Sequence, residues 1–119
     1  MSLQIPQSDM LSRLLDTASM RHRVISNNLA NVNTPGFHRQ EVSFEEAFSR
    51  ELQRGGEDRA SAVLPRVIES QTGVVRQDGN NVDLDKEMGD LSKNALMFNT
   101  VTQLLAGQIS SMRTAITGK

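Results

Sequence analysis

There is no cysteine, tryptophan or tyrosine in these 119 residues, and only four are phenylalanine. Without cysteine there is no thiol nucleophile, no disulfide and no Cys-ligated zinc. That absence is compatible with a location outside the cytoplasm but does not establish one. Aromatics make up 3% and apolar residues 37%, so the large side chains that usually fill a compact core are scarce. Two long helices and a loose middle suit this composition better than a globule. The formal net charge is -1, and no broad basic surface points to nucleic acid. Met1 to Met10 holds neither a basic segment nor an apolar run, so no cleavable secretory signal is expected. At this length the chain is one domain, with room for a small insert.

Catalytic patterns are missing as well. His22 and His38 are the only histidines, and no HExxH or carboxylate cluster accompanies them. His22 falls in a helical seam row, where a packed or rim histidine is the ordinary reading. Ser26, Ser43 and Ser49 lack a nucleophile elbow. Gly55-Gly56 opens no phosphate loop. Glu45, Glu46 and Glu51 read as the solvated face of a short helix. The sequence therefore predicts no catalytic residue, no metal, no cofactor, no nucleic-acid partner and no small-molecule substrate.

Charge is missing locally. Neither Val24 to Phe37 nor Asn94 to Met112 contains a charged residue. Ordinary surface helices carry Lys and Glu on the outer face. The second stretch instead presents Asn94, Asn99, Thr100, Thr102, Gln103, Gln108, Ser110 and Ser111. That is too polar for a membrane span, which needs about 20 mainly apolar residues. It suits a helix touched on several sides by other helices.

What is present is periodicity. Leu84, Leu91, Phe98, Leu105 and Met112 recur every seven residues, with Met88, Ala95, Ile109 and Ile116 as a second row broken by Thr102. Two adjacent heptad rows are the seam of a coiled coil. Asp83 is the expected N-cap, and Asp85 and Glu87 follow in the first turn, where the helix dipole favours acids. A helix from Leu84 to Ile116 is on the order of 50 Å long, so it needs an equally long partner. Leu11, Ala18, Ile25 and Val32 repeat every seven in the first third, beside Leu15, His22 and Leu29. A helix over residues 7–31 is expected there, paired with the last one. Most of the methionines fall on or near seam positions, as gap-filling core.

The first helix runs into Asn27, Asn28, Leu29, Ala30, Asn31, Val32, Asn33, Thr34, Pro35, Gly36 and Phe37. Thr34 precedes proline and is pushed out of the helical region. Pro35-Gly36 fits the centre of a type II turn, which predicts φ > 0 at Gly36. The asparagines exceed what a helix end needs, and their amides suit backbone of neighbouring chains. Residues 26–37 resemble the N-terminal signature of the bacterial flagellar rod and hook proteins. Residues 78–88, from Asp78 to Met88, are similar to the start of the C-terminal helix in the same family. The Val82-Asp83-Leu84-Asp85 form and the short chain resemble its proximal rod members. Hook proteins carry large inserts, and distal members differ at that tetrapeptide.

The middle is less legible. Ser43-Phe44-Glu45-Glu46 reads as a capping box ahead of a helix over residues 44–54. Residues 55–62 read as a flexible linker. Pro65 argues against a central strand, leaving a short extended pair or a hairpin turning near Gln71 to Gly73.

The expected fold is mainly α. Residues 1–36 and 84–119 form one coiled-coil domain, and residues 37–83 form a small middle segment with a possible β-hairpin. The resemblance implies a structural subunit of the flagellar basal-body rod, polymerising into a tube in the periplasm. It implies self-association and contact with other flagellar rod proteins, the rod-base adaptor protein and the membrane-ring protein. It also implies delivery by the flagellar export apparatus without a cleaved signal. A small helical binding module, such as a regulatory adaptor or export chaperone, is the alternative. It would fold alone as a stable monomer or dimer, which sedimentation and circular dichroism would reveal.

Overall fold

The computed structural model describes residues 6–118. Residues 1–5 and Lys119 belong to the expected terminal segments and to the expected signal-free N-terminus, and lie outside the described residues. The order is α1 (Pro6–Ala30), β1 (Gln40–Ser43), α2 (Glu45–Ser61), β2 (Arg66–Glu69) and α3 (Leu84–Thr117). No helix among the described residues is long and apolar enough to cross a membrane.

The terminal helices pack together and run antiparallel. Ser8 Oγ donates to Gln108 Oε1 at 2.6 Å, Asn94 Nδ2 donates to Ala18 O at 2.8 Å, and Asn28 meets Glu87. Asp83 caps α3 by accepting from the backbone of Asp85 and Lys86.

α1 is the central element, because it is covered on two faces. Leu11, Ala18 and Ile25 are buried towards α3, whereas Val24 joins Val42 and Phe44 in a small core. Leu14, Met20, Phe48 and Val63 pack around that core, and the rings of Phe44 and Phe48 lie 5.1 Å apart. The aliphatic residues of α1 cover more than one stripe, and that is why it can be covered twice.

The α3 side of the seam differs from the heptad expectation. The row facing α1 is Glu87, Asn94, Val101 and Gln108, with Glu87 fully buried and Val101 3% exposed. Leu91, Leu105 and Met112 are half-buried at its edge and Phe98 is 39% exposed. Leu84, Met88, Ile109 and Ile116 lie on the surface. Polar partners explain the offset. Glu87 and Gln108 have bonds to satisfy on α1 and beside it, and these turn α3 away from its purely apolar seam. Buried polar groups commonly fix the register of paired helices in this way.

The middle also differs. β1 pairs antiparallel with β2, with Gln40 opposite Glu69 and Ser43 opposite Arg66. The hairpin partner of the segment after Pro65 is therefore upstream, and Val74 and Val75 stay exposed. Ser43 belongs to β1 and does not cap; Phe44 is the N-cap of α2, without a side-chain cap bond. α2 continues to Ser61, so the stretch expected as a linker is mostly helical. It is broken at Gly56, whose φ of 74° and ψ of -159° suit glycine alone. Arg13 Nε donates to Ser61 O at 3.0 Å and ties the end of α2 to α1.

Candidate assembly surface

The asparagine-rich turn is organised from inside the chain. Thr34 O accepts from Phe37 N at 3.2 Å, closing the Pro35-Gly36 turn. Gly36 has φ of +76°, the value a type II turn requires at that place. Gly36 N donates to Asp78 O at 2.8 Å. A Cβ on Gly79 would lie 3.3 Å from Gly36 Cα, so the two glycine turns approach back to back.

Asn28, with no exposed surface, closes hydrogen bonds to both backbone groups of one residue: its Nδ2 donates to Gln40 O and its Oδ1 accepts from Gln40 N. Nδ2 also reaches Glu87 Oε2 at 3.2 Å. Glu87 Oε1 accepts from Arg39 Nε at 2.6 Å. Arg39 Nη1 donates to Ser70 Oγ and to Glu41, and its backbone N–H donates to Asn81 Oδ1 at 2.6 Å. Burial on its own would lower the Arg39 pKa. The hydrogen bond and charge of Glu87, then those of Glu41, outweigh this and hold it above the ordinary arginine value. Its charge is therefore secure beside the Glu87 carboxylate.

Asn80 is the second keystone, also without exposed surface. Its Nδ2 donates to Asn31 O and Thr34 O, and its Oδ1 accepts from Val82 N. Arg76 donates to Val82 O and Val32 O. The end of α1, β1, the end of β2 and the start of α3 are thus held as one polar knot.

Of the residues expected in the signature, Asn28 is buried in this knot, and Asn31 and Thr34 bond within it. Leu29 and Phe37 are half-buried. Asn27, Ala30, Asn33, Pro35 and Gly36 are exposed. Arg39, Asn80, Asn81, Ser70 and Glu87 are knot members that sequence reasoning missed. One signal was available: Glu87 falls on a heptad row with Asn94 and Val101, where an acid needs a partner.

The outward face lies on α3. Leu96 is 69% exposed and Leu104 56% exposed, among the neutral polar residues of the charge-free stretch. An open cleft between α1 and α3 is lined by Ser19, His22, Asn94, Ala95, Phe98 and Asn99. The molecule thus uses its polar groups internally at one end and presents a long, uncharged, partly apolar helix face along its length. That defines a class, the structural subunit built to be packed among other helices.

The comparisons with known proteins name the class. The family model described as Flagella basal body rod protein matches residues 15–38. The chain is 32% identical to the flagellar basal body rod protein FlgB of Borrelia hermsii, over 91% of this chain and 93% of that one. It is 30% identical to FlgB of Bacillus subtilis over 91% of each chain. It is 29% identical to FlgB of Escherichia coli K12, over 82% of this chain and 83% of that one. The chain belongs to the flagellar basal-body rod protein family and is a structural subunit of the rod.

Proposed function

We propose that the chain polymerises in the proximal, periplasmic part of the rod, as one of the subunits of a tubular drive shaft. The observation that carries this reading is the face of α3 between Asn94 and Met112. It has no charge, and Leu96, Met97 and Leu104 stand more than half exposed along it. Leaving such area in water is unfavourable, and lateral packing against neighbouring helices covers it. In this reading the neighbours are other copies, other rod proteins, the rod-base adaptor and the membrane-ring protein. The flagellar export apparatus delivers the chain. Asn27, Asn33 and Pro35, exposed at the end of α1, are the signature residues left to meet those partners. A solitary helical binding module is not favoured.

A charge scan tests the face. Gln103→Glu, Thr100→Glu and Ser110→Glu alter exposed side chains and should leave the helix content of the free protein unchanged. Each would press an unpaired carboxylate against a neighbour, where desolvation is costly. Swimming in a strain carrying only the variant should be lost or strongly reduced. Parent-like swimming by all three would mean that the face is not an interface.

A further inference from the structure

The chain has one Asp-Gly step, Asp78-Gly79, and no Asn-Gly. Here a side-chain carboxyl readily meets the next backbone nitrogen. Glycine has no side chain to shield its N–H, and its backbone is the freest. In an open chain that nitrogen attacks the Asp78 carboxyl carbon. A Cγ–N bond forms, the nitrogen loses its proton, and a carboxyl oxygen leaves as water, giving a succinimide. Water then reopens the ring at either carbonyl. Opening at the main-chain carbonyl breaks its bond to Gly79 N and leaves the chain running through the Asp78 β-carbon, as isoaspartate. The net composition is unchanged, and no oxidant or other co-reactant is consumed.

The fold denies this geometry. Asp78 is exposed, so water reaches the step in both states and the difference is one of position. Gly79 N–H is committed to Arg76 O at 2.9 Å. Asp78 Oδ1 accepts from Asn80 N at 3.0 Å and lies 3.8 Å from Arg76 Nε. Asp78 O accepts from Gly36 N at 2.8 Å, and the close approach of Gly79 to Gly36 keeps the step from swinging aside. The next residue, Asn80, is fully buried and donates to Asn31 O and Thr34 O. Bringing Gly79 N onto Asp78 Cγ disturbs these bonds together.

We propose that Asp78-Gly79 is a site of spontaneous isoaspartate formation, open in the unfolded chain and closed by the polar knot. The modification is also one the knot cannot absorb. The added main-chain methylene moves Asn80 off Asn31 O and Thr34 O. The carbonyl that met Gly36 N becomes part of a free carboxylate. A chain that isomerises before folding is therefore barred from the native turn, whereas a folded subunit is spared. This rests on the chain's own chemistry and does not need the rod reading.

The purified chain, incubated at neutral pH with and without guanidinium chloride, tests the proposal. Isoaspartate at position 78 is read by peptide mapping with electron-transfer fragmentation. The unfolded chain should accumulate it at least about tenfold faster, since only molecules with this turn opened react. Asn80→Ala removes the side chain that pins the turn and should speed the reaction in the absence of denaturant. Where that variant does not fold, the parent across a denaturant series answers the same question: the rate should follow the fraction opened. Isomerised chains, diluted from denaturant, should regain less helix by circular dichroism than unmodified chains treated alike. Equal rates in the folded and unfolded chain, no isoaspartate in the unfolded chain, or full refolding of isomerised chains would each overturn the proposal. None of these measurements involves assembly, so they stand or fall apart from the rod reading.

Discussion

Arg39 and Glu87 show how much of this fold depends on single residues. Their side chains are 5% and 0% exposed, and 2.6 Å separates the bonded atoms. A buried ion pair adds little net stability over an apolar pair of the same volume, but removing one partner strands a buried charge, at about 3–5 kcal/mol. Glu87→Ala should therefore destabilise the free chain by about 3 kcal/mol or more. Arg39→Met combined with Glu87→Leu should recover a large part of the loss. Urea midpoints of Glu87→Ala and of the double variant measure this. Equal loss in Glu87→Ala and in the double would mean that the carboxylate's bond to Asn28, not its charge balance, holds the knot. The same scale shows what could be read from sequence. The positive φ of Gly36 was legible because Pro-Gly has one comfortable turn type, and Asp83 because a cap is local chemistry. The Arg39–Glu87 pair was not, since 48 positions separate its members and neither position is unusual alone.

At the scale of elements, α3 carries two candidate seams, and its polar contacts decide which one meets α1. The apolar heptad row was legible as a helix of the right length, because length and period depend only on the chain itself. Its facing residues were not legible, because the register is set by Asn28, Arg39 and Ser8 on other elements. The expected extended pair in the middle is present, but β1 as the partner of β2 escaped notice for a related reason. Gln40-Glu41-Val42-Ser43 has one buried residue, Val42, and β2 has none, so neither shows a clear alternation. Their pairing comes from the turn and the knot. The register yields a direct contrast. Val101 is 3% exposed and Met88 is 50% exposed, although the heptad pattern alone would favour Met88 for the core. Val101→Asp buries an unpaired carboxylate and should cost about 3 kcal/mol or prevent folding. Met88→Asp should change the stability of the free chain by no more than about 0.5 kcal/mol. Thermal unfolding followed by circular dichroism separates the two, and the reverse order would place α1 on the apolar heptad instead.

The whole molecule is more open than its mass predicts. Its accessible surface is 8024 Å², whereas a globular chain of 13.1 kDa exposes roughly 6,400 Å² by the usual mass scaling. Its radius of gyration is 17.8 Å, against about 13.5 Å for a compact domain of this length. The outer face of α3 contributes to the excess, as do α2 and the exposed stretch around β2. Folding therefore recovers less apolar burial for each residue ordered, and the free chain should sit near or below the lower end of the usual stability range, about 5 kcal/mol. Protection should be uneven along it. The turns of α3 near Glu87 and Asn94 are held by the knot and by α1, whereas from Arg113 to Thr117 the helix is exposed all round. Hydrogen exchange on dilute monomer should be slowest near Glu87 and Asn94 and become faster towards Thr117. In isolated basal bodies the whole of α3 should be slowed by at least about a hundredfold, because anything that binds only the folded chain adds to its stability. Strong, uniform protection of Asn94 to Met112 in a confirmed monomer would show that α3 needs no neighbour. The excess surface would then be no sign of assembly.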